Sequence, residues 1–199
     1  MFIRIFSLLA LLTLAGCASN PMTVSPQQTL QTPSQDSSQV VFMRSSFVGS
    51  AISASLYDVT DGDIKFIGVI VNGVKLAYST TPGEHTFMVV SEAADFMEAD
   101  LSSGKNYFSL VTPRMGAWKA RFSLWPIKND PTARYHTDMT EFDQWLTNTK
   151  LSTNSEKSQA WYQQNKNSVK AKYDKYWPAW QQKADSDIAK RTLVPTDGK

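Results

Sequence analysis

The histidines of this sequence are the first side chains to consider for acid–base or metal chemistry. His85 begins a predicted strand, on which the neighbouring Glu84 would point to the opposite face. His136 lies in a loop before a predicted helix, close in sequence to Asp138. The two histidines match no zinc-ligand spacing. We therefore predict structural or surface roles for both, with no metal site and no cofactor.

Other residue patterns suggest chemistry only superficially. Asp58, Asp61 and Asp63 surround Gly62, but the alternating carboxylates and distal glutamate of a calcium loop are missing, so we predict a turn. Ser103-Gly104-Lys105 lacks the upstream glycine of a phosphate loop. The sequence also contains no Gly-x-Ser-x-Gly nucleophile motif. These patterns predict a protein that is not an enzyme.

Composition indicates a folded chain with balanced charge. Of the 199 residues, 42% are hydrophobic and 19% are charged, and the formal net charge is +2. This composition is typical of a globular protein. The charge is too small to favour nucleic acid as a partner. The single cysteine, Cys17, cannot form an internal disulfide, so core packing must hold the body together.

The first 16 residues have the pattern of a secretory signal peptide. Arg4 precedes an apolar run over 5–14, which is too short to span a bilayer. The small residues Ala15 and Gly16 suit a cleavage site between Gly16 and Cys17. One interpretation is an ordinary signal peptide, in which a cysteine happens to follow the cleavage site by chance.

The run Leu14-Ala15-Gly16-Cys17 resembles the lipobox of bacterial lipoproteins. This resemblance implies that Cys17 carries acyl chains such as palmitate, which anchor the protein in a membrane. Ala18-Ser19 lacks the aspartate that retains such proteins in the inner membrane. The resemblance therefore implies a Gram-negative outer-membrane protein that faces the periplasm.

Four segments follow from changes in composition along the chain. We predict a signal peptide over 1–16, a lipidated cysteine and flexible tether over 17–39, a β-sandwich over 40–128 and a helical extension over 129–199. The tether prediction depends on the Ser-, Gln-, Thr- and Pro-rich composition before residue 40, which has no helix or strand period.

Residues 40–128 predict a small antiparallel β-sandwich of about eight strands, so the fold class is mainly β with an α extension. Short β-forming runs are separated by turn residues, with no helical interruption. Asn72-Gly73 is the strongest hairpin signal, because both residues tolerate positive φ. It predicts pairing between a strand over 64–71 and a strand over 74–79.

An ordered set of short motifs in the same region resembles a domain of unknown function found in bacterial envelope lipoproteins. The motifs are Arg44 to Ser50, Asn72-Gly73, Pro82 to Thr86, Ser103 to Tyr107 and Thr112 to Gly116. The resemblance implies a small β-sandwich and no known catalytic residues.

The tail predicts helices with one aromatic stripe. Asp138-Met139-Thr140-Glu141 and Thr153-Asn154-Ser155-Glu156 both have the pattern of a capping box, and Pro178 should kink or restart the second helix. Residues 155–191 carry eight cations against four anions. The stripe could bind anionic envelope material, or it could pack on the sandwich while the lysines face solvent; packing is favoured.

These patterns lead to a first hypothesis of a non-enzymatic, lipid-anchored binding or scaffold module with an envelope protein as partner. A periplasmic glycan- or peptidoglycan-binding protein and a small-ligand carrier are the alternatives. The predicted binding surface consists of aromatic tail residues and two arginines of the sandwich: Trp161, Tyr173, Tyr176, Trp177, Trp180, Arg44 and Arg114.

Overall fold

The computed structural model describes residues 20–114 and 121–199. Gly16 and Cys17, with the rest of the predicted leader and lipobox, lie outside these residues. In chain order the elements are β1 (Thr23–Val24), β2 (Ser38–Arg44), β3 (Ala54–Asp58), β4 (Lys65–Ile70), β5 (Val74–Thr80), β6 (Gly83–Val90), β7 (Ala94–Leu101), β8 (Asn106–Arg114), β9 (Arg121–Ile127), α1 (Thr140–Asn148), β10 (Lys150–Thr153), α2 (Glu156–Gln181), α3 (Asp185–Ala189) and β11 (Thr192–Leu193), before a 3₁₀ turn at Pro195–Asp197.

The fold is a two-sheet β structure with a C-terminal helical region, so the predicted fold class is confirmed. One sheet has the strand order β1-β10-β5-β2-β8-β9, and the facing sheet has the order β11-β7-β6-β3-β4. The eight predicted strands correspond to β2 through β9. Between the sheets, apolar side chains fill the interior, among them Phe42, Leu56, Phe87, Met97 and Leu124.

The sheets are mixed, and the predicted antiparallel pairing holds for every pair among β2 through β9 except β2 and β8. β2 runs antiparallel to β5 on one side and parallel to β8 on the other. β10 is parallel to β5, and β11 is parallel to β7. Two of the three parallel pairs form because the predicted helical extension returns short strands to the sheets. Its residues extend both sheets, and one edge of each sheet gains backbone hydrogen bonds.

Asn72-Gly73 does not form the predicted hairpin. β4 pairs with β3, whereas β5 pairs with β2 and β10 in the other sheet. Gly73 has the expected positive φ of 76°, but its N–H donates to the Arg44 carbonyl at 2.8 Å. The dipeptide therefore carries the chain from one sheet to the other. A turn sequence specifies backbone dihedrals, and it does not specify whether the following strand returns to the same sheet.

The predicted flexible tether is docked on the sandwich from its first described residues. Met22 belongs to the core cluster, and its sulfur accepts the Val69 N–H at 3.3 Å. Thr23 and Val24 pair with β10. The prediction is wrong for this part of the segment because one buried methionine and a two-residue strand fix it, although the surrounding composition is polar.

The helices of the tail do not begin and end where the sequence pattern predicts. Met139 is the N-cap of α1 and makes no side-chain capping bond, so the capping box at Asp138 is wrong. α2 is capped by Ser155, which exchanges side-chain bonds with Ser158. Pro178 does not restart this helix, which continues to Gln181.

Candidate functional site

A buried cluster of polar side chains joins the two sheets at one end of the sandwich. Asp58 ends β3, Thr60 lies in the following turn, His85 lies in β6, and Tyr78 comes from β5 of the facing sheet. The carboxylate of Asp58 lies 3.4 Å from His85 Nδ1 and accepts the Tyr78 hydroxyl at 3.1 Å. Thr60 donates its hydroxyl and its N–H to the same carboxylate. A cleft of about 550 Å³ opens beside this cluster.

The cluster holds opposite charges on two buried side chains, Asp58 and His85. Burial would raise the pKa of Asp58, but the hydrogen bonds from His85, Thr60 and Tyr78 outweigh it and lower the pKa to about 2. Burial acts to lower the pKa of His85, but the bonds to Asp58 and to the Thr81 carbonyl raise it above its usual value. Burial and the Asp58 charge raise the pKa of Tyr78 to about 12.

The geometry of the imidazole supports a structural ion pair rather than a general base. His85 Nε2 lies 2.8 Å from the Thr81 carbonyl oxygen, which can only accept a hydrogen bond. His85 Nδ1 faces Asp58 and, at 3.2 Å, the Thr60 hydroxyl oxygen. A general base needs a ring nitrogen within reach of substrate. Here both nitrogens are engaged by the protein. Through Asp58 and the Thr81 carbonyl, His85 links the end of β3 to the turn after β5.

The structure gives His85 a partner that the sequence analysis did not consider. Asp58 was predicted to act with Asp61 and Asp63 in a turn, yet Asp61 is exposed and pairs with Lys65. The antiparallel register sets Asp58 opposite Phe87, two residues from His85. The β3–β6 register would predict the Asp58–His85 pair, but no local motif in the sequence indicates it.

Arg44 is fully buried, so its assignment to a binding surface is wrong. It ends β2, the strand between β5 and β8, whose seven residues are all buried. Its guanidinium donates to the carbonyls of Ile70 at 3.2 Å and Gly49 at 2.6 Å, and it lies 4.1 Å from the Phe122 ring centroid. Burial lowers its pKa to about 10, which leaves it cationic at neutral pH. Across residues 20–114 and 121–199, no carboxylate forms an ion pair with it.

Arg114 is exposed, as a surface role requires. It ends β8 directly opposite Arg121, the first residue of β9. Like charges placed opposite each other on neighbouring strands are destabilising. The structure thus separates Arg114 from Arg44, with which it had been grouped.

The aromatic stripe of α2 packs against the outer face of the second sheet. Phe96 of β7 lies at its centre, with ring centroids 5.0 Å from Trp177 and 5.8 Å from Trp180. Trp180 is buried, which makes its assignment to a binding surface wrong. The half-buried members Tyr173 and Tyr176 pack against the same cluster, while Trp161 packs near Phe66. The alternative that the stripe packs on the sandwich is therefore correct.

A second cleft lies beside edge strand β9 and was not predicted. Its volume is about 520 Å³, and Trp125, Lys128, Asp130, Arg134 and Lys190 contribute to its lining. The guanidinium carbon of Arg134 lies 4.4 Å from the Trp125 ring centroid, which is cation–π distance. Lys190 pairs with Asp187, whereas Lys128 and Arg134 form no ion pair within the described chain.

The single carboxylate that lines this cleft is already engaged. Asp130 accepts the N–H and the hydroxyl of Thr132 at 2.9 and 2.8 Å, and these bonds lower its pKa. The Trp125 ring also contacts Arg191, at 4.5 Å, but Arg191 is paired with Asp95. Lys128 donates one hydrogen bond to the Ala189 carbonyl at 2.9 Å and retains two further N–H donors. The cleft therefore presents Lys128 and Arg134 as cations that an anion can contact.

Comparison of the chain with protein-family models, with curated proteins and with solved structures gives no match. The resemblance to a family of envelope lipoproteins stays a prediction. In the described ranges, no three His, Cys, Asp or Glu side chains converge closely enough to hold a metal ion. None of the helices within those ranges combines the length and apolar content needed to cross a bilayer.

Proposed function

We propose that this protein is a lipid-anchored envelope protein whose body is a non-enzymatic binding module in the periplasm. The anchor rests on the run Leu14-Ala15-Gly16-Cys17, and an outer-membrane location rests on Ala18-Ser19. Several acyl chains on Cys17 would give stable attachment, at about 0.8 kcal/mol per buried CH₂. The full engagement of the His85 imidazole supports a binding role over catalysis.

Labelling with a radioactive fatty acid tests the anchor. The wild-type protein should incorporate label, and Cys17→Ala should incorporate none, because that thiol is the proposed attachment point. Continued labelling of Cys17→Ala would contradict the proposal. The control is Ser19→Ala, which leaves the cysteine in place and should be labelled like the wild type.

The cleft beside β9 is the observation that carries the binding function. Lys128 and Arg134 complement carboxylate or phosphate groups, and the Trp125 ring holds the Arg134 guanidinium in place. The interior supports a surface site over a carrier cavity, since Phe42 and Phe87 pack edge to face at 5.2 Å between the sheets. We therefore place an anionic ligand or partner at the cleft.

Peptidoglycan is the second candidate that this cleft favours, because its peptide stems carry carboxylates and it lies in the same compartment. The glycan alternative thereby moves from the aromatic helix face, which packs on the sheet, to β9. We expect the protein to cosediment with purified sacculi. Arg134→Ala should weaken binding by about 10- to 150-fold, since a hydrogen bond to a charged group contributes about 1.5–3 kcal/mol.

Arg121→Ala is the matched control, because Arg121 is an exposed arginine on β9, the strand that carries Trp125, but lies outside the cleft lining. It should bind sacculi like the wild type. If the intact protein is not retained, the peptidoglycan candidate fails. If both variants lose binding equally, the attraction is general charge and not the cleft.

A further inference from the structure

The loop between β2 and β3 exposes apolar side chains at one end of the sandwich. Phe47 is 92% exposed, Val48 55% and Ile52 41%. They are three of the five large hydrophobic residues that are exposed in the described part of the chain. Apolar groups concentrated in one loop mark a site of contact with another surface.

Hydrogen bonds from neighbouring residues fix the conformation of this loop. The buried Arg44 donates to the Gly49 carbonyl at 2.6 Å, and a turn hydrogen bond joins the Ile52 N–H to the same oxygen at 3.0 Å. The Ser46 N–H donates to the Asn72 side chain at 2.8 Å. Phe47 and Val48 therefore project from a structured loop. The buried guanidinium has a clear role here, because its hydrogen bond fixes the conformation that presents them.

Exposed cations lie at the same end. Phe122, which contacts both Arg44 and the Gly49 region, follows Arg121 in β9, and Arg121 lies opposite Arg114. Positions 45–53 contain no acidic residue. Glu92, in the turn between β6 and β7, is a carboxylate that lines a cleft with Ile52, and it has an interaction partner of its own.

We propose that the end of the sandwich that carries Phe47, Val48, Arg114 and Arg121 docks on a bilayer containing anionic lipid. The apolar loop enters the headgroup region, and the arginines contact lipid phosphates. A bilayer fits better than a protein groove because the apolar residues project from a loop and are flanked by cations without ion-pair partners in the described residues. Docking would fix the orientation of the Trp125 cleft relative to the membrane.

Vesicle cosedimentation tests this proposal with the chain that begins at residue 18, which retains every described contact and cannot be lipidated. Vesicles contain phosphatidylethanolamine alone or with phosphatidylglycerol. We expect binding at least tenfold stronger to the anionic vesicles, and weaker binding at high salt. Phe47→Ser and Arg121→Gln should each reduce binding about fivefold or more.

Two controls separate docking from general effects. Val24→Ser removes another exposed apolar side chain, and Lys157→Gln removes an exposed cation of α2 that belongs to neither the docking end nor the Trp125 cleft. Both should bind anionic vesicles like the unmodified chain. Because Phe47 is exposed, the thermal midpoint of Phe47→Ser should equal that of the parent, which shows that any lost binding is not unfolding.

Equal binding by Phe47→Ser and its parent, or failure of the folded parent to bind anionic vesicles, would overturn the proposal. Concentration-dependent dimerisation that Phe47→Ser abolishes would assign the loop to a second copy of the chain, and would also overturn it. Fatty-acid labelling of Cys17 is independent of these results. A labelled protein whose body does not bind vesicles keeps its anchor and loses only the docking surface.

Discussion

Asp58→Ala should lower the free energy of unfolding by about 3–5 kcal/mol, because it leaves a buried imidazolium without its carboxylate. Asp58 also accepts hydrogen bonds from the half-buried Thr60 and Tyr78, so these side chains lose their acceptor together with His85. Urea unfolding followed by circular dichroism measures the change. Asp61→Ala is the control, because that carboxylate is exposed in its pair with Lys65 and its loss should leave the midpoint unchanged.

The same pair makes stability depend on pH in a defined direction. The pKa of His85 is raised on folding, so its contribution is fully present below the unfolded value of about 6.5 and is lost as the pH rises through the folded pKa. The pKa of Asp58 is lowered to about 2, so its contribution is present above about 3.9 and is lost as the pH falls toward 2.

The difference in stability between wild type and Asp58→Ala should therefore be largest near pH 5 and smaller at pH 8. Unfolding at these two values, with the same denaturant, gives the comparison. An equal difference at both values would show that the pair is not ionised in the folded protein, and would contradict the assignment of a buried imidazolium–carboxylate pair.

Phe96→Ala should cost about 3–5 kcal/mol and loosen α2, since a large buried aromatic ring is replaced by a cavity. Phe96 is fully buried on the outer face of the second sheet, where Tyr173, Trp177 and Trp180 contact its ring. Tryptophan emission should shift to longer wavelength as Trp177 and Trp180 gain water. The combined loss of stability and spectral shift identifies helix docking as the cause.

Phe47→Ala is the matched control for this variant. It removes the same ring from an exposed position, so neither the unfolding midpoint nor the emission maximum should change. A comparable loss of stability in both variants would mean that ring burial on the sheet does not hold α2. An unchanged emission maximum in Phe96→Ala would mean that the helix keeps its position without that ring.

The candidate sites were much harder to predict than the elements that carry them. His85 and Asp58 are far apart in sequence, and Arg134 meets Trp125 across the connection between β9 and α1. Each pair depends on strand register or loop path. Arg44 and Arg114 are both arginines at the ends of strands that are flanked on both sides, yet one is fully buried and the other is exposed. The difference arises because the loop after β2 folds back so that the Gly49 carbonyl accepts from Arg44, whereas Arg114 ends β8 opposite the exposed Arg121.

The sequence by itself determined the strands β2 through β9, the long helix α2 and the aromatic stripe that covers one sheet. These features are local, because alternation of burial, turn dihedrals and helical spacing act over a few residues. The tertiary structure alone decided that Asn72-Gly73 crosses between sheets, that Met22 anchors the predicted tether, and that His85 meets Asp58. Those outcomes depend on which distant strand supplies the facing surface, and no local backbone preference encodes that choice.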